Sequence, residues 1–269
     1  MNSRAPDHIP PGVAAYDFIL KLHFCIMFQP CAFQNCRQTP AINSGRDVSG
    51  VAADHNMRQR KLRNLDTRYE AYSDIIVEAP AEMRGRWTER SGGAPLFIEI
   101  GCGKGKFISE LAAREPEHFF VAIEGNKSVM LRAMEKIREA GLRNVAFIPE
   151  LAGDLSDWFE DGEADGIYLN FSDPLPKNYW YKRRLTYRDR LKSYFRVLKP
   201  EGTVTFKTDN TDLFNWSVLE IVAADLKILD ITRDLHADPE ACASNIETEY
   251  EAKYSGFGEK IKRVIIGRR

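Results

Sequence analysis

The chain has 269 residues, 43% hydrophobic and 29% charged, which excludes a fibrous or disordered protein and supplies enough apolar material for a sizeable core. Lys and Arg number 38 against 39 Asp and Glu, a net charge of -1, so bulk positive charge draws this protein to no partner and only local patches can. No run approaches the roughly 18 apolar residues of a membrane span, and Cys25, Cys31, Cys36, Cys102 and Cys242 have neither disulfide-framework nor CxxC zinc spacing. We therefore expect a cytoplasmic protein with no membrane contact and no metal.

Residues 1–56 contain no glutamate, yet hold three of the five cysteines and three of the five histidines. The apolar stretch at 14–28 carries Asp17, Lys21 and His23 and lacks a basic start and a small-residue cleavage site, so it does not read as a secretory signal. We expect residues 1–56 to be a non-native or poorly ordered extension, read through from an earlier start, and residues 57–269 to be the folded domain, opening at Met57 with a basic group of Arg58, Arg60, Lys61, Arg63 and Arg68.

Beyond Pro95 short apolar runs alternate with helical patterns. Strands are expected over 96–100, 119–124, 144–148, 166–171, 203–208, 226–231 and 261–266, and helices over 107–113, 129–140, 191–198 and 214–224. That alternation predicts an α/β domain with a doubly wound, mostly parallel, seven-stranded Rossmann-like sheet.

The first strand runs into Glu99-Ile100-Gly101-Cys102-Gly103-Lys104-Gly105 and then a helix. Glycines at alternate positions allow a sharp turn and close approach of a ligand to a helix N-terminus, although such a turn also serves as a plain strand-to-helix connection. The dinucleotide fingerprint GxGxxG places its third glycine one residue later, and Glu99 would repel a pyrophosphate but welcome a cationic methionine group, so S-adenosylmethionine is the expected cofactor. Glu124 closes the second strand, where a carboxylate can accept both ribose hydroxyls.

After the fourth strand comes Asp173-Pro174-Leu175-Pro176-Lys177, at the carboxyl end of the sheet where ligands of such folds lie. Tyr179, Trp180, Tyr181, Lys182, Arg183 and Arg184 follow, and nine basic residues fall among the 23 from 177 to 199 with Asp189 the sole acid. Basic residues interleaved with aromatics suit RNA phosphates and bases, though a charge run is more often a solvated helix face.

Taken together, the basic start at Met57, EIGCGKG, the acidic end of the second strand, YLNFSDPLPK, KRRLT, FKTDN and the late NIETEYE resemble the bacterial tRNA (guanine-N7)-methyltransferases, over residues 57–269. The resemblance implies a class I fold, a tRNA partner, and methyl transfer from S-adenosylmethionine to guanine N7 in the variable loop. It implies that Glu99, Gly101, Gly103, Gly105, Glu124, Leu151 and Asp173 meet the cofactor, with Asp173 also catalytic. Lys177, Asp209, Thr248, Glu249, Tyr250 and Glu251 would face the nucleotide, and Tyr179 to Arg184 the RNA. The sequence departs from the family pattern at Leu175, where tryptophan is usual, at Trp180, where histidine is common, and at Leu151, which replaces an aspartate that meets the adenine. Methylation of another RNA or a small molecule, a non-catalytic RNA-binding module, and a nicotinamide oxidoreductase are the competing readings.

Overall fold

The computed structural model describes residues 64–269; the expectations for residues 1–56 and for the basic side chains at 58–63 lie outside the described residues. Two short helices, α1 (Leu65–Glu70) and α2 (Trp87–Arg90), precede an alternating array of strands and helices. In chain order these are β1 (Leu96–Ile100), α3 (Lys106–Arg114), β2 (Phe119–Ile123), α4 (Lys127–Glu139), β3 (Val145–Ile148), β4 (Ala164–Asn170), α5 (Arg188–Val197) and β5 (Leu198–Thr208). Then come α6 (Thr211–Ala223), β6 (Lys227–Thr232), α7 (Pro239–Ala243), α8 (Glu249–Ser255) and β7 (Lys262–Gly267).

The seven strands form one sheet in the order β3-β2-β1-β4-β5-β7-β6, and the expected mostly parallel, doubly wound architecture is what is found. Strands β1 to β5 pair in parallel, whereas β7 runs antiparallel to both β5 and β6. The order reverses between β1 and β4, which makes the carboxyl ends of those strands the natural place for a crevice.

Register explains why β1 is apolar at every position but Glu99 rather than alternating. Ile98, Ile167, Val204 and Ile266 form one row across four strands, and Glu99, Tyr168, Thr205 and Ile265 the next row, facing the opposite way. The first row packs on Leu191, Tyr194 and Phe195 of α5, on Phe214 and Ile221 of α6, and on Trp87 and Phe159. The opposite face, with Phe120, Ala122 and Phe147, packs on α3 and α4. Each face of β1 to β4 is covered, so these strands are buried on both sides instead of alternating, whereas the edge strand β6 alternates, with Leu229 and Ile231 exposed.

Two features differ from expectation for physical reasons. Strand β5 begins at Leu198 rather than 203, because the backbone passes Pro200 and Gly202 through an irregularity in its pairing with β4 and stays extended. The segment before β1 shows no periodicity yet is anchored, with Trp87 fully buried, its indole N–H donating to the Trp158 carbonyl, and Ile76 bridging Phe147 beside β3.

Candidate active site

The glycine loop is fixed to the sheet. Gly101 and Cys102 both donate N–H to the Ile123 carbonyl, at 2.8 and 3.1 Å, and Gly105 donates to the Cys102 carbonyl at 3.0 Å. The three glycines have positive φ, but their surroundings differ. A Cβ on Gly101 or Gly103 would meet nothing within 4 Å, so these two border open space; a Cβ on Gly105 would lie 2.5 Å from that of Ala133, so Gly105 lets α3 pack against α4.

Glu124 is held in place by the loop it faces. One carboxylate oxygen accepts from Gly103 N–H at 3.1 Å and the other from Asn126 N–H at 2.9 Å, leaving a further lone pair on each. Asn126 in turn caps α4 through the N–H groups of Ser128 and Val129.

Glu99 lies beneath, buried. One oxygen accepts from the Asn170 amide at 2.9 Å; the other has no partner among the described residues. Burial pushes its carboxyl up to about 8, against the opposing pull of the Asn170 hydrogen bond and of Lys207. An unpartnered buried acceptor below a glycine cradle fits a cationic ligand group.

A cleft of about 400 Å³ opens at the carboxyl ends of the strands. Gly101, Glu124, Leu151 and Asp173 all line it, together with Asn170, Leu175 and Arg183. Asp173 is exposed and makes no ion pair or hydrogen bond among the described residues. The loop that carries it is strained: Phe171 and Leu175 have φ of 52° and 42°, a conformation few side chains adopt, and Arg184 donates to the Leu175 carbonyl at 3.1 Å. Leu151 stands 83% exposed above Gly125 and offers only its backbone for polar contact. Of the nearby acids, Glu150 lines the cleft, whereas Asp154 caps the turn at Leu155–Asp157 and bonds Ser193, which holds its carboxyl below the usual range.

The aromatic-basic run folds into a 3₁₀ stretch over Asn178–Arg183. Trp180 is spanned by cations, with Lys177 Nζ 4.9 Å and the Arg183 guanidinium 5.7 Å from its ring, while Tyr179 is 70% exposed. Downstream the run is largely occupied by the fold. Arg188 pairs with Glu220 through two hydrogen bonds below 3 Å, Arg190 donates to the Ala152 carbonyl, Arg196 meets Asp161, and Lys199 meets Asp165. The side chains of Lys177, Lys182 and Arg183 at the cleft end, and of Lys192 on α5, make no ion pair among the described residues.

The late segment is packed differently from the cleft loop. Thr248 and Glu251 close a capping box at the start of α8, and Glu251 is fully buried, accepting from Lys207 at 2.8 Å and from Asn245 at 2.7 Å. Burial lowers the Lys207 ammonium from its ordinary value, against the pull of Glu251. Glu249 pairs with Lys136. Tyr250 lies 5.0 Å from the Phe171 ring and beside Asp209; burial, Tyr254 and Asp209 raise its phenol well above the usual range. Asp209 itself is half-buried, its carbonyl accepting from Lys262. Sequence reasoning did not single out Asn170 or Lys207, although each lies within a motif that it did single out.

Residues 93–264 match the family model described as "Putative methyltransferase". The chain belongs to this methyltransferase family. It is 43% identical over 209 residues to a tRNA (guanine-N(7)-)-methyltransferase of Lactococcus lactis, an alignment that covers 77% of this chain and 96% of the relative. It is 42% identical over 208 residues to the protein of that name from Geobacillus kaustophilus, covering 77% and 95%. Among solved structures, an antibiotic-related methyltransferase superposes with a TM-score of 0.51 at 23% identity, covering 69% of this chain and 94% of that one. The 16S rRNA methyltransferase KamB superposes at 0.50 with 13% identity, covering 67% and 91%. These similarities establish the class I methyltransferase fold, which supports S-adenosylmethionine as the cofactor. Among the described residues no helix is long and apolar enough to cross a membrane, and no cluster of His, Cys, Asp and Glu is arranged to hold a metal.

Proposed function

We propose that this methyltransferase modifies N7 of a guanine in the variable loop of tRNA. The observation that carries the reading is the composition of one cleft, in which Gly101, Glu124 and Asp173 share a wall with Arg183 from the aromatic-basic run. A cofactor rim and a phosphate-binding side chain thus address the same space. The two strongly similar relatives bear the name of that reaction.

Bound in this cleft, S-adenosylmethionine would supply a methyl group on a positively charged sulfur. Glu124, already oriented by Gly103 and Asn126, would accept from ribose hydroxyls with its remaining lone pairs. Gly101 and Gly103 leave the space a ligand needs, and the unpartnered oxygen of Glu99 would receive a cationic group, whose charge would favour the ionised carboxylate.

Guanine N7 carries an exposed lone pair and needs no deprotonation, so the residues around it need not include a strong base. Their task is alignment, for which proximity and orientation can supply roughly 7 to 11 kcal/mol. Asp173 and Asp209 can accept from guanine N1–H and the N2 amino group, a donor pair adenine lacks. Lys177 and the 3₁₀ stretch of Tyr179, Trp180, Tyr181, Lys182, Arg183 and Arg184 would hold the RNA, with exposed Tyr179 free to stack. Tyr250, whose ring lies against Phe171, would complete the far wall. Incubation with labelled methyl donor and undermodified bulk tRNA, followed by nucleoside analysis, should yield 7-methylguanosine; label in any other nucleoside, or none, would refute the assignment.

A further inference from the structure

Three glutamates alternate through the late segment, and each meets a lysine from a different element. Lys106 of α3 donates to Glu247 at 3.2 Å, Lys136 of α4 pairs with Glu249, and Lys207 of β5 donates to Glu251 at 2.8 Å. Lys207 also donates to the Asn245 side chain at 2.9 Å and to the Ile246 carbonyl at 2.8 Å, so all three of its protons are spent on this segment. The lysines stand 141, 113 and 44 residues from their partners along the chain, so these pairs tie together separate parts of the fold.

Between the second and third glutamates sits Tyr250. Its ring contacts Phe171 in the cleft wall, stacks at 4.1 Å on Tyr254, and adjoins Asp209. Helix α8 has only seven residues, too short to hold its own position in water. Its placement at the cleft must come from outside contacts. The ion pairs are those contacts: one is fully buried and the others lie half-exposed on the flanks.

We infer that Lys106, Lys136 and Lys207 are positioning residues, a three-point clamp that sets Tyr250 and α8 at the cleft mouth. Glu249 and Glu251 then serve the substrate by holding this segment and not by touching the base. The kinetic side of the inference rests on the proposed tRNA reaction; the structural side does not.

Charge reversal across the outer pair tests it. Lys136→Glu and Glu249→Lys should each speed amide hydrogen exchange over residues 249–255 and raise KM for tRNA, both by roughly fivefold, with kcat little changed. The double reversal Lys136→Glu/Glu249→Lys should restore both readouts to within about twofold. A double variant no better than Glu249→Lys alone would show that Glu249 meets the substrate directly, and unchanged exchange in the single variants would show that there is no clamp; either result overturns the inference. Lys207→Met should free the same amides by more than about tenfold while calorimetric donor binding persists; full protection in a folded Lys207→Met protein would equally overturn it. If wild-type protein methylates no tRNA, the proposed function fails, and the exchange measurements still decide the clamp.

Discussion

The loop after β4 and the segment leading into α8 both border the cleft region and both carry acids that the sequence assigns to ligands, yet their chemistry is opposite. Asp173 stands exposed and unpaired on a loop with two residues at positive φ. Glu251 is buried, with both oxygens engaged. An unpaired carboxylate in a cleft is available to a ligand, and the strain around it is the kind that functional loops retain. A saturated buried carboxylate is already employed, and removing its partner leaves a charge with nowhere to go. The presence of an acid in a motif therefore says where it matters but not how.

The largest effect is expected at the free acid. Asp173→Ala should lower kcat by about 10³-fold or more, the scale of losing one preorganised polar group at a reacting centre, with tRNA affinity nearly intact. Near-normal turnover would erase the contrast between the two regions.

Glu99 offers an intermediate effect and a sign. Its folded carboxyl is raised to about 8 by burial, so the native state binds the proton more tightly than the unfolded chain does. Stability from this group is complete below the unfolded value near 4.5 and is lost as pH rises through 8, by on the order of 5 kcal/mol. Lys207, lowered by burial, acts in the opposite sense at higher pH, so the comparison belongs between pH 5 and 8. Urea unfolding of Glu99→Gln should show a flatter pH profile than the wild type over that range. Parallel profiles would mean that Glu99 is ionised throughout.

The smallest expected change is at the cleft end of the basic run. Replacing Lys177, Lys182 and Arg183 together with alanine should weaken tRNA binding about tenfold at moderate salt and reduce the slope of log K against log salt by about 2. Arg196→Ala, which removes a side chain held by Asp161, should leave that slope unchanged. Equal slopes in the two variants would remove the distinction drawn between free and occupied charges.

The alternation from 96 to 231 was legible because buried parallel strands and amphipathic helices each impose a periodicity that short windows reveal. The insertion of β7 between β5 and β6 was not, since pairing partners carry no local mark. Trp87 was missed for a related reason: it is fully buried, but on a four-residue helix too short to show a pattern. At the site, the glycine loop, Glu124 and the Asp173 loop could be read from spacing alone. The roles of Arg188, Arg196 and Lys199 could not, because Glu220, Asp161 and Asp165, which neutralise them, lie 32 to 35 residues away. A run of like charges looks uniform in one dimension and divides only when the fold brings acids to part of it.

The place of β7 between β5 and β6 governs how the protein is made. It follows both of its pairing partners in the chain, so β6 has no neighbour to zip against until residues 262–267 emerge. Until then the Val204 and Phe206 edge of β5 stays open, and a nascent chain stalled short of this point presents a five-stranded remnant with a ready template for aggregation. A chain cut short before Lys262 is thus expected to go to proteolysis rather than persist as a weakened enzyme.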